Sequence, residues 1–122
     1  MNNPVNWFEI YVQDMDRAKA FYEAVFGVQL TKLEGTEFEM WVFPGGQDGL
    51  GASGSLIKMP GYPSGNNSVL VYFRCADCGV EAEKAAKSGG KIETAKKSIG
   101  QYGYMALIID TEGNIVGLHS ML

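Results

Sequence analysis

The sequence predicts an α+β fold built from two tandem βαβββ modules, and three observations carry that expectation. Superposed on itself at an offset of about 63 residues, the chain lays Asp14 on Asp77, Gly27 on Gly90 and Gly54 on Gly117. Each half begins with a short apolar run, passes through an aspartate into a stretch with helical spacing, and ends that stretch on glycine. Each half then continues with three strand-like runs separated by turn-forming residues. Strands with helices on one side leave the other sheet face free to curl around a cavity, so function turns on which side chains face it.

Val5 to Val12 is nearly continuous in aromatic and aliphatic residues, as suits a strand covered on both faces. Asp14 is placed to cap the following helix, and Ala18, Phe21, Tyr22 and Val25 recur at helical spacing up to Gly27. Runs at Gln29 to Leu33, Glu37 to Phe43 and Ala52 to Lys58 complete the first module, 1–59. Residues 60–67, rich in Pro, Gly, Ser and Asn, read as the connection between modules. In the second module, 68–122, a strand at Ser68 to Arg74 leads to Asp77, which caps a helix with Glu81 and Glu83 early and Lys84 and Lys87 late. Strands at Ile92 to Ser98, Tyr102 to Ile109 and Ile115 to His119 follow, the last two joined by Asp110-Thr111-Glu112-Gly113-Asn114.

At 122 residues the chain is the size of one domain. Its 14 acidic and 10 basic residues give a net charge of −4, which argues against a nucleic-acid footprint. No apolar run approaches the roughly 20 residues of a membrane span, and the first residues lack the pattern of a secretion signal, so a cytoplasmic protein is expected. Cys75 and Cys78 suit a reducing compartment.

The run Val12-Gln13-Asp14-Met15-Asp16-Arg17-Ala18-Lys19-Ala20-Phe21-Tyr22, then Val25-Phe26-Gly27, and the closing Asp110-Thr111-Glu112-Gly113-Asn114-Ile115-Val116-Gly117-Leu118 resemble the vicinal oxygen chelate superfamily. That superfamily includes glyoxalase I, extradiol dioxygenases, fosfomycin-resistance thiol transferases and bleomycin-resistance proteins. The resemblance implies paired βαβββ modules curled around a site where a divalent metal binds substrate oxygens, and it implies a homodimer. It also implies where metal ligands would stand, on the first and last strands of each module. Those positions fall on Trp7, Leu70, Gly54 and Gly117, none of which is a metal ligand. No metal or other cofactor is therefore expected.

Period-two alternation places Glu9 and Tyr11 in the cavity if Trp7 faces it, with Phe8, Ile10 and Val12 under the helix. The same parity selects Leu70, Tyr72 and Arg74, then Leu56, Lys58 and His119, with Gly54 and Gly117 making room for a ligand. Glu9, between two aromatic residues, is expected to lose solvation and raise its pKa toward acid/base use, or else to pair with Arg74. His119, the single histidine, is either an acid/base partner or a satisfied structural imidazole. Other patterns carry less. Cys75-Ala76-Asp77-Cys78 has redox spacing without a second cysteine pair, Gly49 to Gly54 matches a dinucleotide pattern but leads into a strand, and Asn66-Asn67-Ser68 reads as a loop.

The leading expectation is a dimer that binds a small aromatic or cationic molecule, through Trp7, Tyr11, Leu56, Leu70 and Tyr72. One alternative is a lyase or isomerase with Glu9 as base, Arg74 holding an oxyanion and His119 as acid. A glyoxalase-like metal enzyme with relocated ligands, or an accessory subunit, are the others.

Overall fold

A computed structural model describes residues 3–45 and 51–122. The first half runs β1 (Trp7–Tyr11), α1 (Met15–Phe26), β2 (Thr31–Lys32), β3 (Glu39–Val42) and β4 (Ser53–Lys58). The second runs β5 (Tyr72–Arg74), α2 (Cys78–Lys87), β6 (Lys91–Ser98), β7 (Tyr104–Ile109) and β8 (Ile115–Ser120). Each half folds its four strands into a mixed sheet, ordered β1-β4-β3-β2 and β5-β8-β7-β6. In both, the first and last strands are parallel and the others antiparallel. Neither sheet closes on itself, which gives the expected α+β architecture with open, curled sheets.

The helix boundaries follow from their caps. Asp14 accepts a hydrogen bond from the Arg17 amide at the start of α1, and Gly27, at φ 65°, ends it in the left-handed conformation that glycine adopts at little cost. Asp77 does the same for α2 through the Gly79 amide and also pairs with Lys96 at 2.8 Å. Helix α1 buries Met15, Ala18, Phe21, Tyr22 and Val25; α2 buries Cys78, Ala82 and Ala85. The two helices pack on each other, so both sheets contribute to a single core that includes Ile10 and Leu56 from one and Ala106, Ile108, Val116 and Leu118 from the other.

Strand β5 is shorter than the run from Ser68 predicts. Asn67 takes up the partners that run would have used: its side-chain amide donates to the Ile115 carbonyl, and its carbonyl oxygen accepts from the Ile115 amide. A side chain thus stands in for strand pairing at the start of β8. The connection at 60–67 is held down as well. Tyr62 stacks on Tyr11 at 5.5 Å, Ser64 Oγ donates to the Glu112 carbonyl, and the Gly65 amide donates to Asn114.

The turn between β7 and β8 joins the two halves. Asp110 Oδ1 accepts from the Glu112 and Asn114 amides, while Oδ2 accepts from the buried Tyr22 hydroxyl at 2.7 Å. Glu112 reaches the start of α1, where it accepts from the backbone amides of Gln13 and Asp14 and from Arg17. Asn114 donates to the Tyr11 carbonyl at 2.9 Å. Burial opposes charge on Glu112, but the bonds from Arg17, Asp14, Gln13 and Thr111 outweigh it and hold its pKa at about 2.

Candidate functional site

Strand pairing decides which residues share a sheet face. Phe8 pairs with Gly54 and Ile10 with Leu56, on the face that packs under α1. Trp7, Glu9 and Tyr11 point to the opposite face, the open one, alongside Ser53, Ser55 and Ile57. In the second sheet, Tyr72 pairs with Gly117 and Arg74 with His119 on the open face, while Phe73 pairs with Leu118 in the core.

Three residues expected to face the cavity, Gly54, Leu56 and Lys58, lie instead on the other face of β4, with Lys58 at its exposed end. Leu56 is fully buried in the core, and Gly54 lies against the Phe8 ring. The cause is a one-residue change in the repeat. An offset of 63 holds from Ile10 to Phe73, but their core-facing partners, Leu56 and Leu118, are one residue closer together. A one-residue slip reverses the face of every side chain on a strand. The structural counterpart of Gly117 is Ser55, a buried residue whose Oγ has no hydrogen-bond partner among the described residues.

The open face of the second sheet carries the largest cavity described, about 680 Å³, lined by Tyr72, Arg74, Lys97, Tyr102, Met105 and His119 among others. The His119 ring is fixed by the Tyr102 carbonyl, 2.7 Å from Nε2. A carbonyl only accepts, so Nε2 carries a proton and Nδ1 is the free ring nitrogen when the imidazole is neutral. Among the described residues no carboxylate lines this cavity, whereas Arg74 and Lys97 do. Gly117 lies under the Tyr72 ring, which is half exposed.

Glu9 sits elsewhere. It lines a separate depression with Tyr11, Val69, Val71 and Ile115. It accepts a hydrogen bond from the Trp7 indole at 3.1 Å and is exposed, so the loss of solvation expected of it does not occur within one chain. Its negative charge acts on its neighbour: burial and then the Glu9 carboxylate raise the Tyr11 pKa. A single chain thus brings Arg74 and His119 together but keeps Glu9 apart from them. Trp7 and Leu70 are both exposed, at 39% and 41%.

The other sequence patterns resolve simply. Cys75 and Cys78 are buried free thiols, and burial with the nearby Glu81 carboxylate pushes Cys75 up to about 12, far from a reactive thiolate. The Gly49-Leu50 part of the dinucleotide-like pattern lies outside the described residues.

Comparison with known proteins places this architecture. A model of the Glyoxalase/Bleomycin resistance protein/Dioxygenase superfamily matches residues 5–118. The chain belongs to that superfamily. The curated protein "Putative glyoxylase CFP32" of Mycobacterium bovis is 33% identical over 110 residues, 89% of this chain. The chain spans only 41% of the length of that relative. Among solved structures, the antibiotic binding protein TnmS3 from Streptomyces sp. CB03234 is 25% identical with a TM-score of 0.69, covering 98% of this chain and 96% of its own. Glyoxalase I from Zea mays is 20% identical with a TM-score of 0.74, covering 97% of this chain and 46% of its own, a likeness of fold alone.

As a member of this superfamily the chain can be tested against a divalent metal. The four ligand positions, corrected for the observed register, hold Trp7, Leu70, Ser55 and Gly117. One neutral hydroxyl is the only donor among them, and that set does not fit a divalent ion. Among the described residues, no group of three or more His, Cys, Asp or Glu side chains is arranged to hold a metal. None of the described helices is long and apolar enough to cross a membrane.

Proposed function

We propose that this superfamily member is a small-molecule-binding protein that takes an aromatic ligand, without a metal, over the open face of its second sheet. The observation that carries this reading is the cavity at Tyr72, Arg74, Lys97, Tyr102, Met105 and His119, which combines apolar and aromatic walls with a few polar groups. Two cationic side chains and, among the described residues, no carboxylate favour an aromatic ligand with an anionic or electron-rich group over a cationic one. The likeness to TnmS3, an antibiotic binding protein, supports binding as the role.

The protein works as a homodimer in this reading. Trp7, Val69, Leu70 and Tyr72 leave large apolar surface exposed on and beside the two open faces. A second copy that lays its first sheet over this second sheet would cover that surface and close the cleft. The same arrangement brings a Glu9 carboxylate toward Arg74 and His119, which a single chain does not do.

Ligand screening by thermal shift and tryptophan fluorescence tests the reading. An anionic aromatic hit is expected, and Arg74→Ala should weaken it about tenfold, or about 1.4 kcal/mol. Elemental mass spectrometry after incubation with Ni, Zn, Mn, Co and Fe(II) and desalting should find no metal retained. One retained metal per chain, lost in Glu9→Ala or His119→Ala, would overturn the metal-free reading.

The register neighbours Arg74 and His119, with Nδ1 of the ring free, favour one second reading. In it the dimer is a lyase or isomerase: Glu9 removes a proton and keeps it, Arg74 holds the developing oxyanion, and His119, as the imidazolium, donates a different proton from Nδ1. Glu9→Gln would then abolish turnover and leave binding largely intact; turnover that survives it removes this reading.

A further inference from the structure

We infer that the seam between the two halves is a second ligand site, for a small molecule with an aromatic body and a protonated amine. This site adjoins the open-face cleft, with Tyr72, Phe73 and Arg74 lining both, and does not depend on the function proposed for the cleft. A cavity of about 430 Å³ opens there, lined by Phe8, Phe26, Phe43 and Phe73 together with Arg74 and Glu81. The four rings form one network. Phe26 stacks on Phe73 at 4.4 Å, and Phe43 lies 5.5 Å from Phe73 and 5.7 Å from Phe8. Such a wall accepts a flat apolar group, and its ring faces also attract a cation.

The polar group that selects the ligand is Glu81. Among the described residues its buried Oε1 has no full hydrogen-bond partner; the Cys75 thiol beside the carboxylate is a weak donor. Other acidic side chains around the core are fully engaged: Asp110 by Tyr22 and the turn amides, and Glu112 by Arg17 and two backbone amides. A buried acceptor left without a donor is costly, and a donor that arrives with the ligand removes that cost. An ammonium supplies both the donor and the opposite charge, which an alcohol or a carboxylate does not. Arg74 lines the same cavity, but it is exposed, so water weakens its repulsion of a cation more than it weakens the attraction of the buried Glu81 oxygen.

The probe is 2-phenylethylamine, titrated into the full chain and followed by amide NMR shifts, with 2-phenylethanol and phenylacetate as controls. Saturable shifts are expected at Phe26, Val28, Phe43 and Glu81, which line only the seam, and not at Tyr102, Met105 and His119, which line only the open face. The amine should bind at least about tenfold more tightly than the alcohol or the carboxylate. Glu81→Gln should remove that preference while leaving the spectrum folded. If this variant does not fold, the comparison of amine with alcohol in the native protein decides alone. Absence of saturable seam shifts, shifts confined to the open face, or equal binding of amine and alcohol would each overturn the inference. None of these outcomes bears on whether an anionic aromatic occupies the open face.

Discussion

Replacing Glu112 with alanine is expected to cost about 3 kcal/mol of folding stability, more than its place in a turn would suggest. The carboxylate is completely buried, with a side-chain exposure of 0%, and it accepts from the backbone amides of Gln13 and Asp14 at 2.9 Å each. Those amides sit where β1 turns into α1, and without Glu112 they lose their acceptor. Arg17 adds less, because its side chain is 52% exposed and water takes over much of its interaction. Loss of the clamp separates the last turn of the second half from the first helix, so the effect should appear as a lower urea midpoint for the whole cooperative transition.

The same carboxylate predicts a pH dependence with a definite sign. Its folded-state pKa, about 2, lies below the ordinary value of 4.5, so its contribution is fully present above about pH 4.5. It is lost as the pH falls from there through about 2. Glu112→Gln should therefore differ most from the native protein at neutral pH, and the difference should shrink steadily in acid. Urea titrations of both proteins at pH 7 and pH 3 measure this. A gap of the same size at both pH values would show that the charge on Glu112 does not stabilise the fold.

The importance of Glu112 was not legible in the sequence, although Asp110 to Asn114 was legible as a turn. A turn declares itself through residues adjacent in the chain, whereas the partners that tie Glu112 to the first helix, Gln13, Asp14 and Arg17, are 95 to 99 positions away. The caps at Asp14 and Asp77 were legible for the converse reason, since their partners are two or three residues on. The alternation of β1 placed Ile10 and Val12 in the core and Glu9 and Trp7 on the open face. Alternation cannot show what covers an open face, however, so the gap between Glu9 and the Arg74–His119 pair appears only in three dimensions. The repeat itself misled at β4. Self-superposition detects matching residue types, and the glycines at 54 and 117 match in type while lying on opposite faces of their sheets.

That difference of face makes the two glycines unequal, and alanine at each should show it. At Gly54 a β-carbon would fall inside the Phe8 ring. Phe8 is held by Phe43 and Phe73 and packs on the core, so it can yield only toward the seam cavity, by giving up its contacts with those rings. Gly54→Ala should cost about 2–3 kcal/mol, the range of overpacking in a filled core, and lower Tm accordingly. At Gly117 the β-carbon would strike the Tyr72 ring, but that ring is 49% exposed and can swing outward over the open face. Gly117→Ala should change stability by less than about 1 kcal/mol, while the displaced tyrosine alters ligand affinity in the cleft it lines. Thermal melts and ligand titrations of the two variants separate these effects. Equal destabilisation would mean that Tyr72 is as firmly held as Phe8, which would require that the open face be covered in solution, as the proposed dimer would cover it.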